Sequence, residues 1–276
     1  KERALCYQAL HHQLVANAKA VQIAHKIDPE NKLGCMLGAW CVYPLTPDPS
    51  DVICTQKFVD INNFLAADTM CRGAYPRFAY RYWEENDIHI LMEPEDQQVL
   101  LDGTVDFYSF SYYSSACASD RPNGDIIAGN MMRGIKNPYL KASDYNWHLD
   151  PQGLRYYLNQ VYYRYQIPIM VVENGLGTAM DILNPNGTVH DPYRIEYLRE
   201  HISQMKEAIH DGVELIGYTS WGCIDIISAG SGEMQKRYGY IYVDRDNEGN
   251  GSNKRFRKDS FYWYQKVISS NGEILD

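Results

Sequence analysis

The stretch Ile169-Met170-Val171-Val172-Glu173-Asn174-Gly175 decides the fold. Four consecutive apolar residues, three of them β-branched, read as a buried strand. A carboxylate at the carboxyl end of such a strand, followed by a Gly turn, stands where an α/β barrel places its catalytic groups. A helix over about 152–164 precedes this strand, Pro192 to His210 carries helical apolar spacing after it, and Val213 to Ser220 reads as the next strand. The alternation runs back to the start of the chain. A helix is expected over 4–27, a short strand over Lys32 to Gly38, and a proline-rich loop over 43–50. A helix over 52–68 follows, with more helix after Pro76 and a strand over Val105 to Ser111. Residues 114–150, rich in Ser, Gly, Asn and Asp, are expected to form one long loop, and loops of that length in a compact domain are usually functional. A hairpin near 238–250 and a helix over 259–269 close the chain. Four strands alternating with helices define an α/β fold, either an open parallel sheet or part of a (β/α) barrel. Gly175-Leu176-Gly177 follows a strand but lacks the rest of a dinucleotide fingerprint.

Composition narrows the function. The chain has 276 residues, 45% hydrophobic and 22% charged, enough to bury a sizeable core in one or two domains. No run reaches 18 uninterrupted apolar residues, so no membrane span is expected. A net charge of −9 without a long basic run argues against nucleic acid as the main partner. The seven cysteines are scattered, odd in number and without a C-x-x-C pair, which points to reduced thiols in a cytoplasmic protein. The sequons at Asn186 and Asn250 are then chance matches. The chain starts Lys1-Glu2-Arg3 and runs at once into helical sequence, as if entered partway through a fold.

Alone, Glu173 could cap a loop or pair with an arginine. Its neighbours at the other strand ends change that reading. The strand over 105–111 ends in Ser111-Tyr112-Tyr113, and a tyrosine hydroxyl there can hold a carboxylate's charge and orientation. The strand over 213–220 ends at Trp221, whose ring can stack on the apolar face of a sugar. Asn174 is assigned to the turn rather than to chemistry, and Trp40 and Trp83 to packing. Trp147 reads as either a wall of the substrate mouth or a loop anchor. His11 and His12 are adjacent and point to different faces, unlike a metal pair at i and i+4.

The run from Asp150-Pro151-Gln152-Gly153-Leu154 through Arg164-Tyr165 and Pro168 to Val172-Glu173-Asn174-Gly175 resembles glycoside hydrolase family 1. The likeness extends to Tyr7-Gln8-Ala9, His11-His12, Arg72-Gly73, Tyr75-Pro76, Asp191, Arg194-Ile195, Tyr197-Leu198 and Lys236 to Asp244, and so covers nearly the whole chain. This resemblance implies a retaining β-glycosidase on a TIM (β/α)8 barrel. Residues 1–276 would be a single incomplete domain holding strands five to eight. Glu173 would be the nucleophile, Tyr113 its contact and Trp221 the stacking surface. The family's acid/base Glu, in an Asn-Glu pair after strand four, has no counterpart here; Pro29-Glu30-Asn31 lies in a turn. The missing N-terminal half, or self-association, is therefore an expected partner, and no metal or cofactor is implied.

The sugar is read after strand eight. Ordinary β-glucosidases of the family follow the strand-eight Asp with Asn-Phe-Glu-Trp, whereas Asp225 is followed by Ile226-Ile227-Ser228-Ala229. Losing that carboxylate makes room for a phosphate of about −1.5 to −2 charge. Ser228 with Lys236 and Tyr238 resembles the 6-phospho-β-glucosidase branch, with Ser231 as a competing hydroxyl, and Ala229 resembles its glucoside-preferring members. The expected substrates are phosphorylated β-glucosides such as cellobiose 6-phosphate or aryl-β-glucoside 6-phosphates. The alternatives are a β-glucosidase of free sugars and an inactive sugar-phosphate-binding half-barrel.

Overall fold

The computed structural model describes residues 2–128 and 133–276. In chain order, α1 (Glu2–Ile27) precedes β1 (Gly34–Gly38) and β2 (Cys41–Pro44). Four helices, α2 (Pro49–Val59), α3 (Leu65–Arg72), α4 (Arg77–Glu85) and α5 (Asp96–Asp102), lead to β3 (Phe107–Ser111). Three short strands follow: β4 (Ser115–Ala118), β5 (Ile126–Ala128) and β6 (Arg133–Ile135). The second half contains α6 (Pro151–Tyr165), β7 (Ile169–Glu173), α7 (Pro192–His210) and β8 (Leu215–Tyr218), then β9 (Ile241–Val243), β10 (Arg255–Arg257) and α8 (Asp259–Ser269).

The main sheet has the order β1-β3-β7-β8, and every neighbouring pair is parallel. One of its faces is covered by helices. Ile169 and Val171 of β7 and Tyr108 and Phe110 of β3 are fully buried, while Met170 and Val172, which alternate with the first two along β7, are only half-buried. This is the period of two expected of a strand. Opposite them α6 presents Leu154, Tyr157, Leu158 and Val161, with the Tyr157 ring 4.8 Å from that of Phe110. α6 starts where it does because Pro151 occupies its first turn and the Asp150 carboxylate accepts the Gly153 N–H at 2.8 Å. α7 adds Tyr197, Leu198, Ile202 and Met205 at helical spacing.

The four alternating strands and their helices agree with the sequence, and four details do not. The expected loop over 114–150 contains β4, β5 and β6, which join β2 in a second sheet of order β2-β4-β6-β5; residues 129–132 of that expected loop lie outside the described residues. Strands of three or four residues built from Ser, Ala, Cys and Gly are too short and too small to show a period. Tyr43 and Pro44, expected in a loop, end β2. The expected helix over 52–68 begins at Pro49, where the Asp48 side chain caps it, and is interrupted by a π-helical turn over Asp60–Phe64. The closing hairpin pairs β9 with β10 and so extends past 250. Trp40 and Trp83 pack as expected, against Phe58 and Tyr75.

Candidate active site

Glu173 ends β7, and its Oε2 accepts hydrogen bonds from Ser111 Oγ and Tyr113 Oη, both at 2.9 Å. The backbone arranges this meeting. A register shift between Phe110 and Ser111 sets Ser111 directly beside Glu173 in the ladder, and the Tyr112 N–H donates to the Glu173 carbonyl at 2.8 Å. Such irregularities re-aim side chains at strand ends. Burial, followed by the nearby Glu173 carboxylate, raises the Tyr113 pKa, so the phenol remains a donor. Asn174 is fully buried; its Nδ2 donates to the Tyr112 carbonyl at 2.8 Å and to Tyr197 Oη at 3.0 Å, and its Oδ1 accepts from Tyr218 Oη. It therefore fixes the turn, as expected. Trp221 lies half-buried beside Gly175, its backbone N–H donating to the Asn174 carbonyl at 2.8 Å.

The residues after β8 form a second group. Ser228, Lys236 and Tyr238 are all buried, and Ser228 Oγ is 3.4 Å from Tyr238 Oη, whereas Ser231 is exposed. Burial lowers the Lys236 pKa, with Glu233 and Asp144 pulling it upward. Gly177 after β7 comes so close that a Cβ there would lie 2.6 Å from Tyr238 Cε1 and 3.0 Å from Lys236 Cε. Trp147 links the two groups: its ring meets that of Tyr113 edge-on at 5.5 Å and lies 4.2 Å from Lys236 Nζ. It is buried, as the loop-anchor reading expects. The sequence missed Ser111 and Gly177. Ser111 adjoins the tyrosine pair at a strand end, which is the one signal that could have found it.

Beneath these loops lies a buried network of charge. Lys258 Nζ donates to Asp181 Oδ2 and, at 2.8 Å, to Asp225 Oδ1. Arg237 donates to Asp225 Oδ2 at 2.9 Å, and Arg194 reaches Asp181 and Asp191 at 3.0 Å. Three carboxylates and three cations thus neutralise one another, as buried charges must. Arg194 Nη1 also donates to the Leu176 carbonyl at 2.7 Å and the Tyr238 carbonyl at 3.1 Å, tying the loop after β7 to the one after β8. Among the described residues, no cluster of three or more His, Cys, Asp or Glu side chains is set to hold a metal ion, and no helix is long and apolar enough to cross a membrane.

Residues 1–273 match the family model of glycosyl hydrolase family 1, and the chain belongs to that family. It is 52% identical over 270 residues to the aryl-phospho-β-D-glucosidase BglH of Bacillus subtilis (strain 168), covering 98% of this chain and 57% of that protein. It is 50% identical over 274 residues to a 6-phospho-β-glucosidase of Clostridium longisporum, covering 98% and 58%. A β-glucosidase from Thermotoga maritima, solved in complex with castanospermine, superposes with a TM-score of 0.80 at 28% identity, covering 96% of this chain and 57% of that one. The chain thus spans somewhat under three fifths of the length of the relatives it matches.

Proposed function

We propose that this chain is the part of a retaining 6-phospho-β-glucosidase that carries the nucleophile and the phosphate site. In this reading residues 1–276 form one unit, strands five to eight of a (β/α)8 barrel, with β1, β3, β7 and β8 in those places. The observation that carries the reading is the Glu173 carboxylate, held by Ser111 and Tyr113 at the carboxyl end of a central parallel strand. The names of relatives at 48–52% identity, aryl-phospho-β-D-glucosidase, 6-phospho-β-glucosidase and phospho-cellobiase, support the phosphorylated substrate. The seven free thiols support a cytoplasmic setting.

A retaining glycosidase uses two carboxyl groups about 5–5.5 Å apart. Glu173 attacks the anomeric carbon, and the bond to the leaving oxygen breaks as that oxygen takes a proton from the second carboxyl group. Water, deprotonated by that same group, then cleaves the glycosyl ester and frees Glu173. We assign the second carboxyl group to the barrel strands that precede these in the family. The two hydrogen bonds to Oε2 orient the nucleophile and leave Oε1 to attack. Ser228, Lys236 and Tyr238 supply two hydroxyls and an ammonium to the 6-phosphate. The test compares rates on a chromogenic β-glucoside with and without a 6-phosphate in the assembled enzyme. Phosphate is expected to raise the rate, and Glu173→Gln to lower turnover by about four orders of magnitude with folding kept. Unchanged turnover in Glu173→Gln removes the nucleophile, and equal rates on the two sugars remove the phosphate site.

A further inference from the structure

Three aromatic rings surround the Lys236 ammonium. Its Nζ lies 4.2 Å from the centre of the Trp147 ring, 4.6 Å from that of Tyr145 and 5.9 Å from that of Tyr238. A cation over ring faces at such distances is attracted by the ring quadrupole, the more so when water is excluded. Lys236 is only 2% exposed.

Tyr145 and Trp147 belong to one tight turn whose shape is set by its own bonds. Ser143 Oγ accepts the N–H of each at 3.3 Å, the Ser143 N–H donates to the Trp147 carbonyl at 2.8 Å, and Asn146 between them has a left-handed φ of 57°. The turn is fastened to the loop after β7, because Asp144 Oδ2 accepts from Thr178 Oγ1 at 3.0 Å and from the Ala179 N–H at 2.8 Å. That same loop presses Gly177 against the lysine stem.

We propose that Tyr145, together with Trp147, is a positioning residue for phosphate recognition, its ring holding the Lys236 ammonium in place to meet a phosphate on the sugar's O6. The proposal rests on the reading of Ser228, Lys236 and Tyr238 as the phosphate site. A lysine has a flexible four-carbon stem and a strongly hydrated head. Binding an anion ordinarily costs the stem its rotamer freedom and the head part of its water. The aromatic cage imposes both before the ligand arrives. The ring face performs this task and the Tyr145 hydroxyl does not, so phenylalanine replaces Tyr145 and leucine cannot.

The experiment titrates the assembled enzyme with glucose 6-phosphate and with glucose by calorimetry, with this chain unaltered or carrying Tyr145→Phe, Tyr145→Leu or Lys236→Met. The unaltered enzyme prefers glucose 6-phosphate, and Lys236→Met abolishes that preference. Tyr145→Leu weakens glucose 6-phosphate about 2- to 30-fold with glucose unchanged, and Tyr145→Phe stays near the unaltered protein. In NMR spectra the Lys236 ε-methylene protons are shifted upfield by the rings, and the part due to Tyr145 disappears in Tyr145→Leu alone. Lost preference in Lys236→Met with full affinity in Tyr145→Leu overturns the role of Tyr145 and leaves the phosphate site standing. No preference in the unaltered enzyme, or a preference that survives Lys236→Met, overturns the phosphate site and this proposal with it.

Discussion

His201 carries the chain's clearest response to acid. It is buried, its ring centre is 4.0 Å from that of Tyr197, and its Nδ1 lies 2.7 Å from the Tyr197 carbonyl. Nδ1 therefore holds the proton, and Nε2 is buried without a hydrogen-bond partner. Burial lowers the pKa to about 4, against the upward pull of the Tyr197 carbonyl and Asp150. An unfolded histidine titrates near 6.5. Between these values the unfolded chain binds a proton that the folded chain refuses. The stability this residue preserves is thus fully present above about pH 6.5 and lost as pH falls toward 4, by about 3 kcal/mol in all. Urea unfolding from pH 7 to pH 4 is expected to show this decline, and His201→Phe to flatten it; an equally steep decline in the variant would assign it elsewhere. Nothing in the sequence marks His201: Tyr197 lies one turn away on α7, but Tyr112, whose ring centre is 6.1 Å from its own, and Asp150 reach it from distant parts of the chain. Glu173 is legible at this scale because one strand and one turn suffice to place it. Ser111 is not, since the register shift that aims it exists only once β3 and β7 have paired.

The elements divide in the same way. β1, β3, β7 and β8 sit between helices long enough to show a period, so alternation reveals them as strands, while their sequential order is what the barrel implied by the resemblance adds. The second sheet is silent in the sequence, because β2 and β4 are four residues each and β5 and β6 three. The loops that carry the candidate site are shaped by buried charge rather than by pattern, and Lys258 is the test of that statement. Desolvation and Arg194 lower its pKa, and Asp225 and Asp181 raise it. Replacing it with methionine leaves two buried carboxylates, Asp181 and Asp225, without their shared cation. Loss of one partner from a buried pair costs about 3–5 kcal/mol, so Lys258→Met is expected to lower the urea midpoint sharply. If Asp225→Asn restores much of that loss in the double variant, the charge imbalance is the cause; strictly additive losses would point to packing instead.

At the scale of the whole molecule the main sheet has two outer strands. Among the described residues, β1 pairs only with β3, and β8 only with β7. A strand edge with unpaired N–H and C=O groups is a template for another strand, and proteins usually blunt it with lysine, proline or a covering element. Neither Gly34–Gly38 nor Leu215–Tyr218 contains a charge or a proline, and Met36 and Ile216 on them are 53% and 54% exposed. The same sheet buries one face under helices while leaving Met170 and Val172 of the other only half-covered. Unpaired edges beside uncovered apolar side chains favour association, whether with a second copy or with further strands of the same fold. Sedimentation of the purified chain at tens of micromolar is therefore expected to report species heavier than 31.8 kDa, in a concentration-dependent way. Ile216→Lys adds a charge at an already exposed position on the β8 edge and is expected to shift the distribution toward the single chain. A single 31.8 kDa species for the unaltered protein at that concentration would mean that these edges are satisfied within one molecule.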